Sequence, residues 1–241
     1  MGISYNPNVN SNGLVLCLDA ANTKSYPGSG TAWYDVSGNN NHFTINAAAY
    51  NSSGPKYMDF NGSYGCAVTT SGVDVPWSTS YTAATIIAWT RIKNSTSEWR
   101  TLFRGESSNN DHQVIVQSGG WLIGMYDNVN GTGFNSSGFS QQSLPGYGTS
   151  QWNMLVWRFT NVSNQYYNYN FTYNDSPNVL RGSVSSINAR FKGGPRTIGA
   201  YNSGSPSQFW GDIAHLSLYS RYLGDAEIIN NFQSHRGRFG I

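Results

Sequence analysis

A chain of 241 residues suits one large domain, since single β domains often run to about 200–250 residues. Only 11% of the residues are charged, against about 25% in an average globular chain, while 15% are aromatic. That aromatic load excludes disorder, and a net charge of +2 is too small to attract nucleic acid. No apolar run approaches the ~20 residues of a membrane span, and Met1-Gly2-Ile3-Ser4-Tyr5-Asn6-Pro7 has neither the basic flank nor the apolar stretch of a signal peptide.

Residues 1–12 are polar and read as an arm, a candidate docking segment; residues 13–241 read as one body. In Leu14-Val15-Leu16-Cys17-Leu18 the leucines share one face and the small apolar pair the other, so an early strand covered on both faces is expected. A turn at 37–41 precedes a short strand at 58–60 and a second turn at 61–63. Residues 81–92, rich in β-branched and aromatic side chains, predict a central strand. Strands follow at 101–104, 113–117 and 121–126, the last two joined through Ser118-Gly119-Gly120 as a hairpin. A second central strand is expected at 151–159, then short strands at 197–199 and 213–219. Apolar residues at 228, 229 and 232, with Asp225 and Glu227 ahead of them, predict a short C-terminal helix over 224–232. Cys17 and Cys66 are too few for a disulfide framework and are expected as free thiols. The composition and the turns imply one all-β, antiparallel domain.

Gly13-Leu14-Val15-Leu16-Cys17-Leu18-Asp19-Ala20-Ala21-Asn22, Ser25-Tyr26-Pro27-Gly28-Ser29-Gly30-Thr31 and Trp33-Tyr34-Asp35-Val36-Ser37-Gly38-Asn39 resemble the opening of the laminin G-like, concanavalin A-like domains of tailed-phage virion proteins. Phe60-Asn61-Gly62-Ser63, Thr85-Ile86-Ile87-Ala88-Trp89, Gly211-Asp212-Ile213, Leu218-Tyr219-Ser220-Arg221 and Asn231-Phe232 follow in matching order. The resemblance implies a two-sheet jelly-roll sandwich. It departs at Gly224, where the family usually carries a Ser or Thr, so Glu227 is expected to lose its reciprocal capping partner.

Sandwiches of this superfamily include glycosidases, which need paired carboxylates. Their Glu-X-Asp-X-X-Glu signature is absent, and glutamate occurs only at Glu98, Glu106 and Glu227. The chain is therefore expected not to be an enzyme, with Glu98 and Glu106 the only pair to test. His42, His112, His215 and His235 lack i, i+2 or i, i+4 spacing and read as surface or strand histidines. No cofactor is required by the sequence; calcium is the one candidate ion, at Asp35 with Asn39 or at Asp111 and Asp127 with Asn128. Asp35-Val36-Ser37-Gly38 is equally a turn in which the carboxylate bonds the backbone two residues on.

Carbohydrate binding uses exposed rings beside amides and hydroxyls, which selects Trp99, Trp121, Tyr126, Asn128, Asn130, Tyr147, Tyr201 and Trp210, with Trp89, Trp152 and Trp157 assigned to the core. Alternation sends Tyr167, Tyr169, Phe171 and Tyr173 to one face, either an aromatic core face or a contact surface. The leading expectation is a phage virion protein: a capsid decoration or accessory surface subunit, made in the host cytoplasm and docking through its arm on other virion proteins, such as major capsid or tail proteins, as a homo-oligomer. The alternative is a glycan-binding adhesin, as a tail fibre or fibre tip, recognising host cell-surface polysaccharide. A glycoside hydrolase stands third.

Overall fold

The computed structural model describes residues 9–61, 66–68, 83–93, 99–105, 112–116, 119, 121–127, 133–147, 151–163, 166–174, 183–190, 195–201 and 208–241. Strands β1 (Leu14–Asp19), β2 (Ala32–Trp33), β3 (Phe43–Asn46), β4 (Ala49–Asn51), β5 (Tyr57–Asn61) and β6 (Cys66–Val68) come first. There follow β7 (Ala83–Ile92), β8 (Arg100–Gly105), β9 (His112–Val116), β10 (Leu122–Asp127) and β11 (Gly133–Ser140). The chain continues through β12 (Asn153–Ser163), β13 (Tyr166–Tyr173), β14 (Ser183–Arg190), β15 (Pro195–Ile198), β16 (Trp210–Tyr219) and helix α1 (Asp225–Phe239).

One sheet runs β14-β13-β12-β7-β16-β5-β4, with β1 also on β16; the other runs β11-β10-β9-β8-β15-β6-β3-β2. Strand β16 shares one edge between two partners: its first half pairs β5 and its second half β1, with Asp19 opposite His215. The strand pairs within the two sheets are antiparallel, as expected for an all-β domain.

Strand β7 is apolar along its length because both its faces are covered. Ile86 and Ala88 enter the core between the sheets, with Leu155, Trp157, Leu216 and Leu218 from its neighbours. Ile87 and Trp89 face the other way, where Trp152, Met154 and Val156 join Ile228, Phe232 and Phe239 of α1 in a second core. The rings of Phe232 and Phe239 stack on Trp89 at centroid distances of 5.6 and 4.2 Å. Each such buried ring contributes about 1.5–3 kcal/mol.

The helix extends beyond the sequence expectation, to Phe239, and Gly240 closes it in the left-handed conformation at φ 72°. At its start Gly224 has no side chain to offer, yet Glu227 keeps its half of the box by accepting the Gly224 N–H at 2.9 Å. Arg221 supplies what the missing Ser or Thr would not, a two-pronged contact with Glu227 at 2.9 and 2.5 Å. The N-cap side chain is lost as expected, and Arg221 stands in for it as the partner of Glu227. That carboxyl lies below its ordinary range, chiefly through the Arg221 hydrogen bonds. The fully buried Arg158 holds Asp225 at 2.5 Å and the Leu223 carbonyl at 3.3 Å. The described end of the arm lies on the same corner, where Asn10 donates to Glu227 and Asn12 accepts from Arg221.

The aromatic stripe on β13 resolves toward the core. Tyr169, Phe171 and Tyr173 are buried between the sheets, and the Tyr169 hydroxyl donates to the Asn135 carbonyl at 2.6 Å. For these three the contact-surface reading gives way to the core-face reading offered beside it. Of Tyr167 only the backbone, paired with Asn161, is described. Cys17 is a buried free thiol, pushed up to about 12 by burial and then by the charges of Asp19 and Asp35.

Candidate functional site

On β10, Ile123 and Met125 enter the core, so alternation turns Gly124 and Tyr126 to the outer face of the sheet. Tyr126 is the register partner of Phe134 on β11, and Trp99 lies just ahead of β8. The Trp99 ring meets Tyr126 and Phe134 edge-on, each at 5.4 Å. All three side chains are half-buried. Gly124 leaves the room that Phe134 occupies: a Cβ there would lie 2.8 and 2.9 Å from carbons of that ring. The result is an apolar cluster of three half-buried rings on the outer face of the sheet. Ring faces of this kind bind flat CH surfaces.

Of the eight residues selected for sugar contact, the structure brings together Trp99 and Tyr126 and adds Phe134, which nothing in its local sequence distinguishes from the many other aromatics. Tyr201 and Trp210 serve otherwise, as lids on buried arginines: Arg104 lies 4.1 Å from the Tyr201 ring and donates to its carbonyl at 3.1 Å, and Arg100 lies 5.5 Å from the Trp210 ring. Trp121 ends the hairpin between β9 and β10 in the left-handed region, φ 53°, its carbonyl accepting the Gln141 N–H. Tyr147 is 39% exposed on a separate turn. Asn128 and Asn130 lie outside the described residues.

Asp35 and Asn39 do meet in one turn, with the aspartate's oxygens taken by the protein's own donors. Oδ1 accepts the N–H groups of Cys17 (2.8 Å) and Ser37 (2.9 Å), and Oδ2 the Ser37 hydroxyl (2.8 Å) and the Asn41 N–H (3.0 Å). The Asn39 amide donates to the Leu14 carbonyl at 3.1 Å. This is the side-chain-stabilised turn rather than an open set of oxygen ligands. Asp111, Glu98 and Glu106 lie outside the described residues, and Asp127 is described only through its backbone pairing with His112 and Gly133.

A second constellation lies at the seam between α1 and the sheet. Asp19, His215 and His235 each bring a ligand-type atom within 4.8 Å of the others. The two imidazole rings are 4.7 Å apart. Arg238 clamps the seam, donating to Asp19 Oδ1 (2.7 Å) and to the carbonyls of Pro55 (2.5 Å) and Lys56 (2.7 Å). Burial, then the charge of His215, pulls His235 down to about 4. Burial would raise Asp19, but the neighbouring His215 and the charge of Arg238 hold it well below the carboxylate range. Two of the histidines that lie apart in sequence thus come together: strand and helix unite residues 20 positions apart, beyond the reach of a local spacing rule.

No protein-family model and no curated protein matches the sequence. Solved structures do. The chain superposes over 95% of its length on 34% of a Trypanosoma rangeli sialidase chain in complex with sialic acid, at TM-score 0.61 and 17% identity. A mutant of the same sialidase displaying trans-sialidase activity gives 97%, 34%, 0.62 and 17%. The binding domain of botulinum neurotoxin DC, in complex with rat synaptotagmin II, matches 94% of the chain and 52% of its own length, at TM-score 0.62 and 15% identity. The chain thus spans about a third of the sialidases and half of the toxin chain, and likeness at this identity carries the fold: antiparallel β sheets with one C-terminal helix. The expectation that the chain is not an enzyme is corrected by the same finding. A sandwich of this layout forms part of sialidases, so the missing glutamate pair, the mark of one active-site design, does not exclude catalysis. Among the described residues no helix is long and apolar enough to cross a membrane.

Proposed function

We propose that the chain is a glycan-binding, lectin-like sandwich of the jelly-roll, concanavalin A-like kind, with the outer face of the β8–β11 sheet as its binding surface. The observation that carries this is the platform of Trp99, Tyr126 and Phe134, three half-buried rings of which Trp99 meets the other two, set on paired strands. A platform held by strands loses little entropy on binding, and sugar CH faces stack on it while polar groups around it pair with the sugar hydroxyls. The shared fold with a sialidase that holds sialic acid supports a saccharide as ligand. The sequence resemblance to phage virion proteins suggests where such a domain would be displayed, on a virion surface facing host polysaccharide. Tyr169, Phe171 and Tyr173 pack inside the sandwich and so offer no surface to a partner.

The test is a glycan array probed with the purified chain and with Trp99→Ala, both checked for folding by circular dichroism. Saturable binding that falls at least about tenfold in the variant supports the proposal; an array without binding, or binding that Trp99→Ala leaves intact, overturns it.

A further inference from the structure

We infer that Asp19, His215 and His235 form a binding site for a divalent transition metal ion of the Zn²⁺ kind, at the seam where α1 lies on the sheet. Strict alternation from the core residue Ile213 would send His215 back into the core. A bulge prevents this: β16 shifts register against β7 between Ile213 and His215, so Ala214 and His215 both face the helix. There His215 stands opposite Asp19 on β1. His235, from the last turns of α1, comes down over the pair with its ring 4.7 Å from that of His215.

The donor set has the chemistry and the outer support of a metal site. His215 is 3% exposed, and its Nδ1, 3.6 Å from Asp19 Oδ2, has no hydrogen-bond partner. A buried imidazole nitrogen left so costs stability unless something binds it. Asp19 Oδ1 is occupied by the Ala21 N–H (2.8 Å) and by Arg238 (2.7 Å), which leaves Oδ2 for the ion. His235 Nδ1 is 2.9 Å from the Asn231 carbonyl, the outer contact that fixes a metal-binding imidazole's tautomer and frees Nε2. Two imidazoles and one carboxylate select Zn²⁺ and its neighbours over Ca²⁺ or Mg²⁺, and three protein ligands leave a fourth, water-filled position. The donor atoms lie within 4.8 Å of one another, and tetrahedral ligation at ~2.0–2.1 Å brings them to about 3.4 Å. Rotation of the partly exposed Asp19 and His235 supplies that closure, and their exposure supplies the entry path. Arg238 adds a positive charge nearby, so the affinity expected is moderate.

The experiment is calorimetric titration of the chelator-treated full chain with Zn²⁺, repeated with Ca²⁺, on wild type, Asp19→Asn and His235→Gln, with Co²⁺ absorption as a second readout. Asp19→Asn is isosteric and His235→Gln keeps a polar side chain of similar reach, and melting curves establish that each variant is folded. One Zn²⁺ per chain, a visible Co²⁺ spectrum of low symmetry, and binding at least about tenfold weaker in both variants support the site, since even outer contacts of a metal site cost this much. Absence of Zn²⁺ binding, equal binding by folded His235→Gln, or a preference for Ca²⁺ overturns it.

Discussion

Replacing Gly124 with Ala adds one methyl group beneath the aromatic platform and tests whether that platform is as rigid as the packing implies. The added Cβ would overlap the Asn135 carbonyl oxygen and lie 2.8 and 2.9 Å from carbons of the Phe134 ring. A ring can tilt away, but the carbonyl belongs to the backbone of β11 and is held by the Tyr169 hydroxyl at 2.6 Å. The strand itself must therefore move, and inserting a methyl into a packed site costs about 1–3 kcal/mol. A domain of this size loses about 2–4 °C of melting temperature per kcal/mol, so a fall of about 2–12 °C is expected in a calorimetric melt. Phe134 should move with its strand, so glycan affinity should fall along with stability. A Gly124→Ala protein that melts with wild type and keeps its affinity would show that β11 yields freely and that the argument from rigidity is wrong.

Phe239→Ala removes a ring stacked on Trp89 and should cost about 3–5 kcal/mol, read as a lower denaturant midpoint with loss of helical circular dichroism. Asp35→Ala strips the buried Cys17 N–H of its acceptor and should destabilise by about 1–3 kcal/mol, measured by urea unfolding. Glu227 titrates below its ordinary value in the folded chain, so its contribution is present above the unfolded pKa and is lost as pH falls through the folded one. The stability gap between wild type and Glu227→Gln should accordingly close in acid; a gap constant with pH would refute the Arg221 clamp. Cys17, buried and pushed up to about 12, should resist alkylation at neutral pH until the chain unfolds, as peptide mapping after iodoacetamide treatment would report.

The two-sided strands were legible because burial on both faces writes itself as continuous apolar sequence, as in Leu14–Asp19 and Ala83–Ile92. Strand β11, Gly-Phe-Asn-Ser-Ser-Gly-Phe-Ser, was not, for its strand state comes from pairing with β10 and from no propensity of its own. The helix read short because Ser234, His235 and Gly237 form helices less readily; packing of Phe239 and the anchoring of Arg238 carry it on. Two of the platform's three rings, Trp99 and Tyr126, were visible, while Phe134 depends on a register that sequence does not specify. His215 was hidden by the bulge, since Ile213-Ala214-His215-Leu216 gives no sign that alternation fails there.

A crystal structure of the chain with the saccharide found on the array tests the central claim most directly. The account predicts a sugar ring seated with its CH face on Trp99, Tyr126 and Phe134. A saccharide ordered anywhere else on the sandwich, with those three rings bare, would contradict it.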